Sequence, residues 1–114
     1  MHSQRSVITG TGSYLPEKIL TNSDLEKIVD TSDDWIRQRT GIKERRIANS
    51  DETATFMGAE AAKKALDSAG LSGSDIDGIV VGTSTPDTTF PAVAIHIQRR
   101  LGVRHGPNFD GQAA

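Results

Sequence analysis

Apolar residues recur with helical spacing in the central part of the chain. The clearest helical stretch begins at Asn49-Ser50-Asp51-Glu52 and ends at Gly70. Its apolar positions are mostly small and fall on one face with a spacing of three and four: Ala54, Met57, Gly58, Ala61, Ala62, Ala65, Leu66 and Ala69. Such a face suits close packing on another helix or a sheet, so we expect this helix to be buried in a larger assembly of elements.

Two further helix starts precede it. Thr21-Asn22-Ser23-Asp24 predicts the start of a short amphipathic helix, with Leu25, Ile28 and Val29 on its apolar face. Thr31 and Asp34 predict a capping pair for a second helix, and Gly41 is a natural stop for it. The next segment, 42–47, is expected to be a strand or an extended loop.

Strand signals lie on both sides of the long helix. Ser6–Gly12 predicts a short strand that leads into a glycine turn, and the β-branched run 76–83 predicts a strand buried on both faces. A helix starting near Pro91, with the apolar stripe Phe90, Ala94, Ile97 and Leu101, and a strand at 108–111 would follow. This strand–helix–strand order predicts the α/β class with a right-handed parallel crossover, although the few strands suggest an incomplete domain.

Composition narrows the function classes. The chain has 114 residues, 35% hydrophobic residues and a net charge of −2, which suits one small α/β domain or a piece of a larger one. The acidic balance gives no electrostatic footprint for nucleic acid. Cysteine is absent, and neither a signal peptide nor a membrane-spanning run is visible. We therefore expect a cytoplasmic protein that binds neither nucleic acid nor a membrane.

Trp35 and Arg39 are the strongest candidate for a ligand site. Trp35 is the only tryptophan, and Arg39 lies one helical turn further on the same face. An indole and a guanidinium in this arrangement can hold a flat aromatic group such as a nucleobase. The alternative is a surface contact without a ligand, and the spacing alone favours that alternative.

Other candidate sites are weaker. Gly10-Thr11-Gly12 has Leu15 where a dinucleotide fingerprint needs its third glycine, and no P-loop lysine follows. We therefore expect tight backbone packing at these glycines rather than phosphate binding. His96 and His105 have no second ligand at metal spacing, so no metal site is predicted.

Several strings of the sequence resemble β-ketoacyl-acyl carrier protein synthase III, the chain-initiating condensing enzyme of bacterial fatty-acid synthesis. They are Gly10-Thr11-Gly12-Ser13-Tyr14-Leu15-Pro16, Thr21-Asn22, Thr31-Ser32-Asp33-Asp34-Trp35-Ile36 and Arg39-Thr40-Gly41-Ile42, then Phe90-Pro91, Ile97-Gln98, Leu101-Gly102 and Phe109-Asp110. The resemblance implies a partial thiolase-like α/β fold, with a mixed, largely parallel sheet and helices packed on it. Residues 1–114 would form the N-terminal portion of the first thiolase-like domain, and the second half would be absent.

The resemblance also implies a reaction and a site. The intact enzyme would take an acyl group from acyl-CoA and join it to malonyl-acyl carrier protein by decarboxylative Claisen condensation. Coenzyme A thioester is then a substrate, no cofactor is tightly bound, and the protein is a homodimer. By position, Trp35 and Arg39 would stack on the adenine of coenzyme A, and Thr31 would hydrogen-bond the base. Phe90 would reach across the dimer into the partner's acyl pocket, the alternative being an ordinary core residue.

No catalytic residue is assigned within the chain. The family's nucleophilic Cys would be the residue after Ala114, and its His and Asn partners would lie in the missing half, so we expect the 114-residue chain alone to be inactive. Two alternatives stay open. One is a related acyl-CoA-using condensing enzyme or acyltransferase of secondary metabolism. The other is a non-catalytic, truncated module that binds a nucleotide or a partner protein.

Overall fold

The computed structural model describes residues 3–111, apart from the side chains of 108 and 109, as two compact units. The first unit comprises residues 15–52 and is called here the hairpin unit. The second comprises the described residues of 3–14 and 53–111 and is called the parallel unit. Each unit has its own strand pair, so each is described by itself.

The hairpin unit is built on two antiparallel strands, β1 (Lys18–Thr21) and β2 (Glu44–Ile47). Between them lie two helices, α1 (Asn22–Glu26) and α2 (Asp33–Thr40). The predicted extended segment at 42–47 is therefore a strand, whereas the four-residue strand β1 was not expected from the sequence.

Helix α1 begins where the sequence predicts but ends early. Thr21 is its N-cap and forms a capping box with Asp24. The helix stops at Glu26 because the backbone N–H groups of Lys27 and Ile28 turn back to carbonyls only three residues earlier. Ile28 and Val29 follow the helix and are exposed, so their predicted place on its apolar face is wrong.

Helix α2 is capped one residue later than predicted. Ser32, not Thr31, is the N-cap, because its hydroxyl accepts a hydrogen bond from the backbone N–H of Trp35 at 3.1 Å. The helix ends as predicted at Gly41, whose φ of 72° lies in the left-handed region that glycine adopts without steric cost.

The parallel unit contains helix α3 (Ala54–Ala69), strand β3 (Ile79–Gly82), helix α4 (Val93–Leu101) and strand β4 (Asn108–Gly111), with a short 3₁₀ turn at Gly73–Asp75. Strands β3 and β4 pair in parallel, with Ile79 opposite Asn108 and Gly82 opposite Gly111. The predicted strand–helix–strand unit with a parallel pair is therefore present.

Helices α3 and α4 pack closely through small residues. Ala59, Val93 and Ala94 are fully buried, and Ile97 is nearly so. A Cβ atom added at Gly58 would lie 2.8 Å from Cδ1 of Ile97, so the glycine lets the isoleucine approach the helix backbone. The alanine-rich face of α3 is thus used for close helix packing, as its composition predicts.

The starts of both helices in the parallel unit differ from the sequence prediction. Helix α3 is capped by Thr53, whose hydroxyl accepts from the Phe56 N–H, while residues 49–52 form a turn closed by the Asn49 side chain. Helix α4 begins at Val93, so Pro91 lies before it and Phe90 is not part of its stripe.

The segment from Ser6 to Gly12 is not a strand among the described residues. It lies instead against α3, because Cβ atoms added at Gly10 and Gly12 would come within 2.5 Å and 2.3 Å of the carbonyl oxygens of Ala65 and Ala61. This contact confirms the prediction of tight backbone packing at these glycines and explains the missing strand: here the segment lies on a helix, and no described strand pairs with it.

The described sheets are one antiparallel and one parallel pair, so the architecture is mixed α/β. The expected class is confirmed, although parallel pairing does not predominate between residues 3 and 111. In the same part of the chain, no helix is long and apolar enough to cross a membrane.

Candidate functional site

Helix α2 presents Trp35 and Arg39 on its exposed side. The indole is 54% exposed, and the Arg39 Cζ lies 4.8 Å from the centroid of its ring. This is the geometry of a cation–π contact, and it follows from the i, i+4 spacing on a helix. The predicted Trp35–Arg39 pair is therefore formed in the structure.

An open hollow of about 320 Å³ adjoins the indole and is lined by Asp30, Thr31, Ser32 and Trp35. Because Ser32 caps the helix, Thr31 has no capping role, and it is one of the residues that line the hollow. A flat ring lying on the indole would therefore have a hydroxyl donor and acceptor beside it.

The two arginines of helix α2 differ in their ion pairs. Arg37 forms ion pairs with Asp33 at 2.8 Å and Asp34 at 2.9 Å. No ion pair of Arg39 is found within residues 3–111. The Arg39 guanidinium, next to the exposed indole, is thus a cation without an ion-pair partner in this part of the chain and is open to an anionic group of a ligand.

Helix α2 is fixed at its first residue by two side chains that sequence reasoning did not single out. Glu26 accepts a hydrogen bond from the Asp33 N–H at 2.7 Å, and the Asn22 amide donates to Asp33 Oδ1 at 2.9 Å. The bond from Asn22 is the largest influence that lowers the pKa of Asp33, and the hydrogen bond from Arg37 adds to it against a smaller effect of burial. Asp33 is thereby held in the charged form that these partners require.

Phe90 is 91% exposed in the segment between β3 and α4. Phe90 is thus not part of the core formed by the described residues, and its place at a dimer interface stays a prediction. Phe90 belongs to the parallel unit, whereas Thr31, Trp35 and Arg39 belong to the hairpin unit. The structure brings the last three together and shows Phe90 as a separate exposed side chain.

Two carboxylates hold the segment that carries Phe90. Asp87 accepts from the Thr55 N–H at the start of α3, at 3.1 and 3.3 Å to its two oxygens. Asp110 on β4 accepts from the N–H groups of Val93 at 2.7 Å and Ala94 at 2.8 Å, and so caps α4 in place of Ala92, which has no side chain to do it. Both ends of the segment are thus tied to a helix start.

The Asp87 carboxyl has a perturbed pKa. Burial raises this pKa, but hydrogen bonds from Thr55, and further ones from Ala54 and Thr53, outweigh burial and hold it below the ordinary value of 3.8. The charged form is therefore the one that binds the start of α3. Across residues 3–111, no three His, Asp or Glu side chains gather into a possible metal site.

Comparison with known proteins gives consistent matches over nearly the whole chain. It is 60% identical over 109 residues to the β-ketoacyl-[acyl-carrier-protein] synthase III of Allorhizobium ampelinum, covering 96% of this chain and 34% of that protein. The crystal structure of 3-oxoacyl-[acyl-carrier-protein] synthase III from Aquifex aeolicus superimposes with a TM-score of 0.87 at 54% identity, covering 94% of this chain and 34% of that one.

A priming β-ketosynthase from the R1128 polyketide pathway matches with the same TM-score of 0.87, at 38% identity, over 93% of this chain and 32% of that one. No family model matches the chain. The chain spans about one third of the length of the relatives it matches.

The resemblance read from the sequence strings is therefore confirmed. In sequence and in its thiolase-like fold, the chain corresponds to about one third of a β-ketoacyl-[acyl-carrier-protein] synthase III.

Proposed function

We propose that this chain supplies the coenzyme A-binding part of a condensing enzyme that initiates fatty-acid synthesis. The observation that carries the proposal is the exposed Trp35 indole with the Arg39 guanidinium 4.8 Å from its centroid, beside a hollow lined by Thr31. Adenine offers a flat ring for the indole, and the phosphates of coenzyme A offer negative charge for the unpaired guanidinium. The Thr31 hydroxyl then bonds an edge of the base.

The complete reaction needs residues that this chain does not contain. The acyl group would pass from acyl-CoA to a cysteine thiolate, and condensation with malonyl-acyl carrier protein would release carbon dioxide. The chain has no cysteine, so on this proposal it binds the substrate's nucleotide end and is inactive alone. Coenzyme A enters as part of the substrate, with no tightly bound cofactor, and the reaction takes place in the cytoplasm.

For Phe90 we propose a role at a homodimer interface. Its exposed fraction of 91% would be costly for a benzyl side chain that stays in water. A partner subunit that received the ring in its acyl pocket would bury it. The ties from Asp87 and Asp110 would hold the segment in place for that contact.

A second candidate function is acyl transfer or condensation in secondary metabolism. The match to the R1128 priming β-ketosynthase, with a TM-score equal to that of the Aquifex enzyme, favours keeping it. The same Trp35–Arg39 site would serve either enzyme, because both would use a coenzyme A thioester. Assaying the protein as its gene encodes it with acyl carrier proteins from fatty-acid and polyketide synthesis separates the two.

Replacing Trp35 by alanine tests the coenzyme A site. In the protein as its gene encodes it, we expect Trp35→Ala to raise the KM for acyl-CoA by roughly fivefold to a hundredfold, the effect of losing one aromatic stacking partner of about 1–3 kcal/mol. The KM for malonyl-acyl carrier protein should stay unchanged. Ile28→Ala, which removes another exposed apolar side chain of the hairpin unit, is the control and should leave both KM values unaltered. An unchanged KM for acyl-CoA in Trp35→Ala would reject the site.

A further inference from the structure

Asn22 is the one fully buried polar side chain of the hairpin unit within the described residues. It is 1% exposed, although asparagine is usually found at the surface. Its amide makes three hydrogen bonds: Nδ2 donates to Asp33 Oδ1 at 2.9 Å and to the Ile42 carbonyl at 2.8 Å, and Oδ1 accepts from Arg45 Nη2 at 2.9 Å. A buried amide satisfied in this way is expensive to replace.

Only an amide fits these three partners. A carboxylate and a carbonyl are acceptors, so both need the NH₂ group, whereas a guanidinium is a donor and needs the oxygen. Aspartate at this position would face the same two acceptors, but its carboxylate has no hydrogen to donate to them. Leucine would fill the volume but leave the partly buried Asp33, Ile42 carbonyl and Arg45 without this hydrogen-bond partner. The partners therefore also determine the orientation of the Asn22 amide.

The three hydrogen bonds fix α2 at both ends. Asp33 is its first residue, and Ile42 follows the Gly41 that ends it. Arg45 on β2 links the same amide to the hairpin and also donates to the Leu20 carbonyl at 3.2 Å, while the Asn22 N–H donates to the Lys43 carbonyl at 3.1 Å. The Asn22 side chain thus links both ends of the eight-residue helix to the strand pair, in addition to the bond from the Asp33 N–H to Glu26.

Trp35 and Arg39 lie between the two points that Asn22 holds. Their 4.8 Å contact depends only on the helix, but the position of the indole and the guanidinium relative to Thr31 and the hollow depends on where α2 lies on the strand pair. Stacking a flat ligand requires that seating to be rigid, because a displacement of the indole removes the hydroxyl from the edge of the base.

We infer that Asn22 is the positioning residue of the Trp35–Arg39 site, through the hydrogen bonds by which its amide holds Asp33 and Ile42. This inference rests on the proposed coenzyme A site and deepens it. Asn22 itself touches no ligand: it determines where the stacking surface lies.

The test compares Asn22→Asp with Asn49→Asp in the protein as its gene encodes it. Both substitutions turn an amide into a carboxylate, but the described hydrogen bonds of the exposed Asn49 use only its oxygen as acceptor, so a carboxylate can replace it. We expect Asn22→Asp to raise the KM for acyl-CoA at least about tenfold, because a buried carboxylate would face two acceptors and could no longer hold Asp33 and the Ile42 carbonyl. The kcat and the KM for malonyl-acyl carrier protein should stay within about twofold. Asn49→Asp should change none of them.

Hydrogen exchange of the α2 amides gives a readout that needs no ligand. In Asn22→Asp, residues 33–42 should exchange faster, while β3 and β4 keep their protection. Unchanged exchange in 33–42 would overturn the inference whatever the protein binds. Faster exchange together with an unchanged KM for acyl-CoA would overturn it as well, and Trp35→Ala then tells whether the site itself is wrong.

A double variant covers the case in which Asn22→Asp does not fold. In Asn22→Asp combined with Asp33→Asn, the new amide at residue 33 can donate to the new carboxylate at residue 22, and Arg45 gains a carboxylate partner. Folding and part of the affinity for acyl-CoA should therefore return. If the double variant binds acyl-CoA no better than Asn22→Asp, or shows no fold where the single variant shows none, the exchange of hydrogen bonds between residues 22 and 33 is not what positions α2.

Discussion

Different interactions stabilise the interior of each unit. In the hairpin unit, Asn22 is fully buried and bonds to a carboxylate, a guanidinium and a backbone carbonyl, while Ile36 and Pro16 are the other buried residues among those described. In the parallel unit, the fully buried side chains are Val93, Ala59 and Ala94, and the helices approach through glycine. One unit has a polar centre with directed bonds, and the other has an apolar centre that depends on close approach.

This difference suits the roles proposed for the two units. A polar centre specifies one arrangement, because its donors and acceptors match in only one way, and a stacking site needs such an arrangement. An apolar centre of small residues stabilises by close packing, which tolerates no added volume. The parallel unit should therefore be sensitive to added volume, whereas exposed ion pairs should contribute little to the stability of either unit.

The largest effect on stability is expected from Gly12→Ala in the parallel unit. An added Cβ would lie 2.3 Å from the Ala61 carbonyl oxygen and 2.5 Å from the Ala65 nitrogen, both backbone atoms of α3 that cannot move aside. We expect the free energy of unfolding to fall by about 1–3 kcal/mol, as for other overpacked sites. Chemical denaturation of the protein as its gene encodes it measures this change.

Gly82→Ala is the matched control for Gly12→Ala. A Cβ at Gly82 would meet nothing within 4 Å, and its φ is not positive. This substitution should leave stability unchanged or raise it by up to about 1 kcal/mol, because alanine has less freedom in the unfolded chain. Equal losses of stability in Gly12→Ala and Gly82→Ala would show that the close contact of residues 3–14 with α3 does not determine the cost of the added methyl group.

A smaller effect is expected from Asp87→Asn, which removes the charge that binds the start of α3. The lowered pKa of Asp87 means that its charged form is favoured in the folded state. Its contribution to stability is then fully present above the ordinary pKa of 3.8 and is lost as pH falls through the lowered value. We expect a loss of about 1 kcal/mol at neutral pH, typical of a helix-start partner.

The pH dependence provides the check for Asp87. The difference in unfolding free energy between wild type and Asp87→Asn should be constant from neutral pH down to about 5 and should shrink below it. A difference that stays the same at the lowest pH at which the protein folds would show that the charge of Asp87 does not stabilise the start of α3.

The smallest effects are expected from replacing one exposed, ion-paired cation in each unit. Arg37→Gln removes the pairs with Asp33 and Asp34, and Lys63→Gln removes the pair with Glu60. Since these side chains are substantially exposed, each loss should be about 0.5 kcal/mol or less and should diminish further in high salt. A loss of unfolding free energy above about 1 kcal/mol in either variant would show that exposed ion pairs contribute substantially to the stability of that unit.

Features with local causes were predictable from the sequence. Gly41, Gly70 and Gly102 end helices with φ of 72°, 71° and 73°, as expected of residues without a Cβ. The Trp35–Arg39 contact also follows from spacing on one helix. The parallel pairing of β3 with β4 was predictable because a helix separates two strand signals.

Features with distant causes were not predictable. In the sequence, Asn22 belongs to a helix start and to one of the strings that carry the resemblance, but neither gives it a role, since its hydrogen-bond partners at 33, 42 and 45 are brought to it by the fold. Strand β1 was missed because its ladder partner, the charged β2, lies beyond two helices. Ser6–Gly12 carries a strand pattern, but in the structure Gly10 and Gly12 lie on α3. Each case depends on residues far away in sequence.

The placement of α1 and α2 between paired strands has a consequence for how the hairpin unit folds. A hairpin with a tight turn can zip together from the turn, one ladder bond at a time. Strands β1 and β2 have no such turn, so their ends must meet across the whole intervening chain before the first ladder bond forms. We expect α1 and α2 to shorten that search, because helices make the intervening chain compact. Helix α2, which carries Trp35 and Arg39, would then also affect the rate at which β1 and β2 pair.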